Sequence, residues 1–118
     1  MSEDSLRSRS SPSREGSAYS IRLPSITLVV GALNEEQSLA HTLDEILSEA
    51  GTLASEYEVL VYDDGSSDRT GAIADDYAQR HAEICALHNE ANRGLGWVYH
   101  DGMARARGEW LSMVHADG

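Results

Sequence analysis

Apolar and polar positions along the chain fall into short alternating runs of two kinds. Ser25-Ile26-Thr27-Leu28-Val29-Val30 is a continuous, mostly β-branched run, the pattern of a strand covered on both faces. After Asn34-Glu35-Glu36 the period changes. Leu39, Leu43, Ile46, Leu47 and Ala50 recur at spacings of 4, 3, 1 and 3, which draws one helical stripe. Asn34 is placed to cap this helix, acids occupy its first turn, and Gly51 is placed to stop it.

The unit then repeats. Tyr57 to Tyr62 reads as a second strand ending in the turn Asp63-Asp64-Gly65-Ser66-Ser67-Asp68, and a helix from about Asp68 carries Ile73, Ala74, Tyr77 and Ala78 on one side. Ile84 to His88 is a third strand, Asn92-Arg93-Gly94-Leu95-Gly96 a loop, and Trp97 to Arg107 a third helix of small residues and Arg that Gly108 breaks. Trp110 to Val114 is a fourth strand, leading into His115-Ala116-Asp117-Gly118. This alternation predicts an α/β fold: a parallel sheet with helices on both faces and right-handed crossovers. Ligands of such sheets sit outside the carboxyl ends of the strands, and the polar loops 34–36, 63–68, 92–96 and 115–118 all fall there.

Residues 2–20 break the pattern, with eight serines, interleaved Arg and few large apolar side chains. Such a segment buries too little to offset its ordering, so 1–22 is expected to be a disordered tail and 23–118 one domain. Glu3, Asp4 and Glu15 argue against a transit peptide.

Charge narrows the chemistry. The 118 residues carry 20 acids against 9 basic residues, a net charge of -11, which disfavours a nucleic-acid partner. Every basic residue is Arg, so no lysine serves as Schiff base, phosphate-loop ammonium or amine base. Dense acid without lysine or Phe fits a proteome adapted to high salt, or equally an acidic protein from a GC-rich genome. No apolar run approaches the roughly 20 residues that cross a bilayer. The single Cys85, inside an apolar stretch, reads as a buried structural thiol in a reducing compartment, so a cytoplasmic location is expected.

Three loops carry candidate chemistry. The Asp63–Asp68 turn fails as an EF-hand, because a register starting at Asp64 puts Arg69 where Gly is needed and Asp75 where Glu is needed. It remains either a solvated turn with a helix cap or a polar site. Gly94-Leu95-Gly96 lacks the third glycine of a dinucleotide fingerprint, although Arg93 beside glycine can approach a phosphate closely. His115 and Asp117, two residues apart, point the same way on an extended strand and can share a divalent cation, or form a surface pair without one. His41, His81, His88 and His100 show no ligand spacing and are assigned no role.

In order, Val29-Val30-Gly31-Ala32-Leu33-Asn34-Glu35-Glu36, Val61-Tyr62-Asp63-Asp64-Gly65-Ser66-Ser67-Asp68-Arg69-Thr70, Asn92-Arg93-Gly94-Leu95-Gly96, Ala104-Arg105-Ala106-Arg107-Gly108-Glu109-Trp110 and Ala116-Asp117-Gly118 resemble the successive signatures of family 2 glycosyltransferases of the GT-A fold. The branch resembling dolichyl-phosphate mannose or glucose synthases is nearest, and the likeness covers about residues 25–118. The resemblance implies a Rossmann-like nucleotide-binding half that takes a UDP- or GDP-sugar, with inverting transfer to a polyprenyl or dolichyl phosphate and a place at the cytoplasmic membrane face.

It further implies that Glu35, and Ala32 and Leu33 through their backbone, contact the nucleoside. Asp64 would accept hydrogen bonds from base or ribose, with Asp63 in support. Asp117 matches the last acid of an Asp-x-Asp motif that holds Mg2+ or Mn2+ on the diphosphate. The first acid of that motif is His115 here, a poor ligand for Mg2+, which implies an altered metal preference or weakened transfer. The family's acceptor half and any catalytic base lie beyond the metal loop. The chain is therefore expected to be the nucleotide-binding part of a truncated or partial enzyme, with a non-catalytic nucleotide-sugar-binding remnant and an unrelated doubly wound binding domain as alternatives.

Overall fold

The computed structural model describes residues 22–116. Four strands, β1 (Leu23–Ala32), β2 (Ala54–Asp64), β3 (Ile84–Asn89) and β4 (Trp110–His115), alternate with three helices, α1 (Leu39–Leu53), α2 (Thr70–Arg80) and α3 (Leu95–Arg105). Every strand pairing is parallel and the order is β3-β2-β1-β4, so the expected α/β architecture is the one that forms. The expected tail lies outside the described residues except for Arg22, whose guanidinium donates to the Ala54 carbonyl (3.1 Å). Asp117 and Gly118 also lie outside them.

The unbroken apolar run of β1 reflects burial from both sides. Leu28, Val30 and Ala32 face Leu39, Leu43 and Ala50 of α1 and Ala74 and Tyr77 of α2, whereas Val29, with Leu60 and Tyr62 of β2, faces Val98 of α3. Helices thus cover both faces. Each of the fully buried Val and Leu side chains contributes about 1.5–3 kcal/mol relative to exposure, which makes β1 the spine of the fold. Small residues in α3 permit close approach: a Cβ on Gly102 would stand 2.8 Å from Val29 Cγ2.

Local signals misplace three features. Asn34 does not cap α1; its φ of 53° puts it in a left-handed turn, and the cap position falls to Ser38. Gly51 does not stop α1, which runs on to Leu53 and ends where Ala54 becomes extended and pairs with Leu23. Sheet pairing, not a glycine, sets that boundary. Cys85 is exposed rather than buried. It pairs in register with Leu60 and so points toward the α3 face, but β3 is an outer strand and α3 packs mainly over β1 and β2. Among the described residues no helix is long and apolar enough to cross a membrane.

The segment before β4 registers that strand. Glu58 Oε2 accepts hydrogen bonds from Thr27 Oγ1 and the Arg107 N–H (both 2.7 Å), and Gly108 N–H donates to Thr27 Oγ1 (2.9 Å). Burial alone would raise the Glu58 pKa; the bonds from Thr27 and Arg107 outweigh it and hold the carboxyl below its ordinary range.

Candidate functional site

The chain leaves β1 through α1 toward β2 and returns from β3 through α3 to β4, on the other side of β1. The strand order thus reverses at β1, and a crevice lies outside the carboxyl ends of β1 and β4 at this switch point. A cleft of about 330 Å³ occupies it, lined by Ala32, Leu33 and Glu35 after β1, Asp64 at the end of β2, Asn92, Gly94 and Leu95 before and within α3, and His115 and Ala116 at the end of β4.

The β1 loop is moulded by the turn after β2. Asn34 N–H donates to Ser66 Oγ and Asn34 Oδ1 accepts from Ser67 N–H (both 2.9 Å). Glu35 N–H donates to Thr70 Oγ1 (2.8 Å), and that hydroxyl, fully buried, donates to Asp68 Oδ1 (2.5 Å). Asp68 Oδ2 accepts from Glu36 N–H (3.3 Å), and Glu36 Oε1 accepts from Arg69 N–H (2.9 Å). The Ser38 hydroxyl lies between Glu35 Oε1 (3.2 Å) and the Ala116 carbonyl, which ties the same loop to the end of β4. Ser66, Ser67, Asp68 and Thr70 thus clamp the backbone that presents Leu33 and Glu35. Sequence reasoning had no signal for this clamp beyond the turn composition, since its partners lie about 32–35 positions apart.

Asp63 and Asp64 are adjacent, so the pleat sends their side chains to opposite faces. Asp64, 3% exposed, turns toward the α3 side, where Oδ1 accepts from Asn89 Nδ2 (2.8 Å) and Arg93 N–H (2.9 Å) and Oδ2 accepts from Gly94 N–H (2.8 Å). Desolvation pushes its pKa up, yet these donors outweigh it and hold Asp64 below the usual carboxylate range. The carboxylate pins the 92–94 loop at the cleft wall. Asp63 turns to the α2 face, accepting from Ser66 N–H (3.0 Å) and pairing with His88 (2.9 Å).

Of the residues expected at the site, the structure brings Ala32, Leu33, Glu35, Asp64 and His115 into one cleft. Asp63 lies behind it. The Arg93 guanidinium sits over the Trp97 ring at 4.8 Å, outside the cleft lining, while its backbone serves Asp64. His115 is exposed, its Nε2 3.2 Å from the Tyr99 hydroxyl. Among the described residues no group of three or more His, Cys, Asp or Glu side chains is placed to hold a metal ion, and Asp117 lies outside them.

Known proteins resemble this chain in sequence and in fold. A dolichyl-phosphate beta-glucosyltransferase of Drosophila melanogaster is 40% identical over 100 residues, covering 79% of this chain and 31% of the relative. S. aureus TarS 1-349 in complex with UDP superposes with a TM-score of 0.70 at 26% identity, over 79% of this chain and 27% of that one. A mannosyltransferase from Pyrobaculum calidifontis, in complex with GDP-Man and Mn2+, shares the fold with a TM-score of 0.70 at 24% identity, over 80% of this chain and 28% of that one. The chain spans under a third of the length of these relatives. Residues 27–118 match the family described as Glycosyl transferase family 2. Parallel sheet, helices on both faces, a switch-point cleft and that match agree, and the chain belongs to glycosyl transferase family 2 with a GT-A fold.

Proposed function

We propose that this chain forms the donor-binding part of a metal-assisted, inverting glycosyltransferase that passes a hexosyl group from a UDP- or GDP-sugar to a polyprenyl or dolichyl phosphate. The observation that carries the reading is the switch-point cleft, whose walls are Ala32, Leu33, Glu35, Asp64 and His115. The similarity to a dolichyl-phosphate beta-glucosyltransferase supports the acceptor class, and the likeness to a UDP-bound protein supports the nucleotide.

In this reading the backbone of Ala32 and Leu33 and the carboxylate of Glu35 receive the nucleoside. Asp64 acts through the 92–94 loop that it holds, since its oxygens already accept three protein donors. Among the described residues the lining contains two carboxylates and no Arg, so a diphosphate there requires a countercharge. His115, with Asp117, would hold a divalent cation; an imidazole in the donor set fits Mn2+ better than Mg2+. When bound, such a cation neutralises the departing nucleoside diphosphate. An acceptor phosphate oxygen is already anionic and attacks the anomeric carbon as the bond to the diphosphate breaks, which makes little demand for a strong base.

Titration calorimetry with UDP-glucose and GDP-mannose tests the proposal. Saturable one-to-one binding that needs a divalent cation and is tighter with Mn2+ than with Mg2+ is expected. Absence of binding to either nucleotide sugar with either metal overturns it.

A further inference from the structure

His88 belongs to none of the cleft walls, yet its ring is clamped between two carboxylates. Nδ1 lies 2.9 Å from Asp63 Oδ2, from β2, and Nε2 lies 2.7 Å from Asp75 Oδ1, from α2. Among the described residues these are the charged groups that act on the ring from the elements packed against it. The Asp63 side chain is only 11% exposed, against 40% for His88, and is tightly enclosed: a Cβ on Gly71 would stand 2.5 Å from its Oδ2. An almost buried carboxylate needs donors, and those reaching Asp63 are the Ser66 N–H and His88.

A continuous chain of bonds runs from there to the cleft. Asp63 Oδ1 orients Ser66 through its N–H, Ser66 Oγ accepts the Asn34 N–H, and Asn34 in its left-handed turn is followed by Glu35 at the cleft wall. We propose that His88 is a positioning residue for the nucleotide-sugar site, holding Asp63 and through it the Ser66–Asn34 contact that shapes the β1 loop. The inference rests on the reading of the cleft as a nucleotide-sugar site.

With two anionic partners, the positively charged imidazolium donates from both nitrogens, whereas the neutral ring donates from one. The hydrogen bond to Asp63, and then that to Asp75, raise the His88 pKa, against a smaller opposing effect of burial. The sign follows: the charged clamp is fully present below the ordinary histidine value of 6.5 and is lost as pH rises through the raised value. The β1 loop is therefore held more firmly in mildly acidic than in alkaline solution.

The test uses the full chain and UDP-glucose with Mg2+ held saturating, the diphosphate diester not titrating between pH 6 and 9, with backbone amide NMR of the ligand-free protein alongside calorimetry. In the ligand-free protein, the Ser66 and Asn34 amides should titrate with the His88 ring, and Asp75→Asn, an exposed change, should move that midpoint to lower pH. His88→Leu should weaken UDP-glucose binding about tenfold at pH 6.5, the scale expected when an ion-paired hydrogen bond orienting a binding loop is lost. His88→Asn, which keeps a donor near the Nδ1 position, should restore part of the affinity and lack the wild-type pH response attributable to His88. Unchanged affinity and pH profile in a folded His88→Leu protein would overturn the proposal, as would Ser66 and Asn34 amides indifferent to the His88 titration. Should the wild type bind no nucleotide sugar, the reading of the cleft fails by itself, and the two amides still decide whether His88 positions the loop.

Discussion

Asp64→Asn is the sharpest perturbation of the loop architecture. The wild-type carboxylate accepts three hydrogen bonds, from Asn89 Nδ2, Arg93 N–H and Gly94 N–H, all at 2.8–2.9 Å. A side-chain amide retains one accepting oxygen, which can serve Asn89 and Arg93, and turns an NH2 group toward the Gly94 N–H. One charge-assisted bond is lost, and the remaining two become neutral ones. Charge-assisted bonds contribute about 1.5–3 kcal/mol each and neutral ones about 1, and Gly94 is half-buried, so water recovers part of the loss; the expected net cost is about 2–3 kcal/mol. Urea unfolding at pH 7 reads this value directly, and amide exchange at Gly94 should accelerate in parallel. The pH dependence carries a sign. Because the folded pKa of Asp64 is depressed, its stabilisation is present above the ordinary value of 3.8 and disappears as pH falls through the folded value. The gap between wild type and Asp64→Asn should therefore narrow toward acid. A cost below about 0.5 kcal/mol at pH 7, the range of ordinary surface changes, or a gap that widens toward acid would refute the reasoning.

Three further outcomes follow from the geometry. Gly51→Ala should stabilise by about 0.5–1 kcal/mol, because Gly51 is exposed inside α1 with nothing near its missing Cβ, whereas Gly65→Ala should cost at least about 2 kcal/mol, with φ of 82° and a Cβ 2.6 Å from the Ala91–Asn92 backbone; the two unfolding midpoints should move in opposite directions. Thr70→Val keeps shape but removes the acceptor of the Glu35 N–H, and should cost about 1–3 kcal/mol and speed exchange of the Glu35 amide before that of the β1 core. Cys85 should react with an aromatic disulfide reagent in the native protein at nearly its unfolded rate; protection by orders of magnitude would mean that the α3 face of β3 is covered.

What the sequence reveals and what it hides divide along range. Period and punctuation suffice for four strands, three helices and both-face burial, because the run Ile26–Val30 and the stripe Leu39–Ala50 each report a local surface. Asn34 and Gly51 mislead because each has a strong local preference that a distant partner overrides: Ser66 and Ser67 hold Asn34 in its turn, and pairing of Ala54 with Leu23 carries α1 past Gly51. Cys85 misleads because an apolar neighbourhood does not tell an outer strand from an inner one. The motifs locate the cleft residues and set Asp64 ahead of Asp63, but they do not show that the two side chains part to opposite faces, and they leave His88 without a role. That separation depends on the register that sets Asp63 beside His88 and Asp64 beside Asn89, which is a property of the β2–β3 pairing rather than of either strand alone.

In the proposed function, the cleft between the ends of β1 and β4 takes the nucleotide sugar. Amide shift mapping with UDP-glucose tests it most directly. The largest changes are expected at residues 31–35, 92–95 and 115–116, with Asp64 among them. Shifts centred instead on Ser25, Glu58 and Arg107 at the opposite end of the sheet, or none at saturating nucleotide sugar and divalent cation, would contradict it.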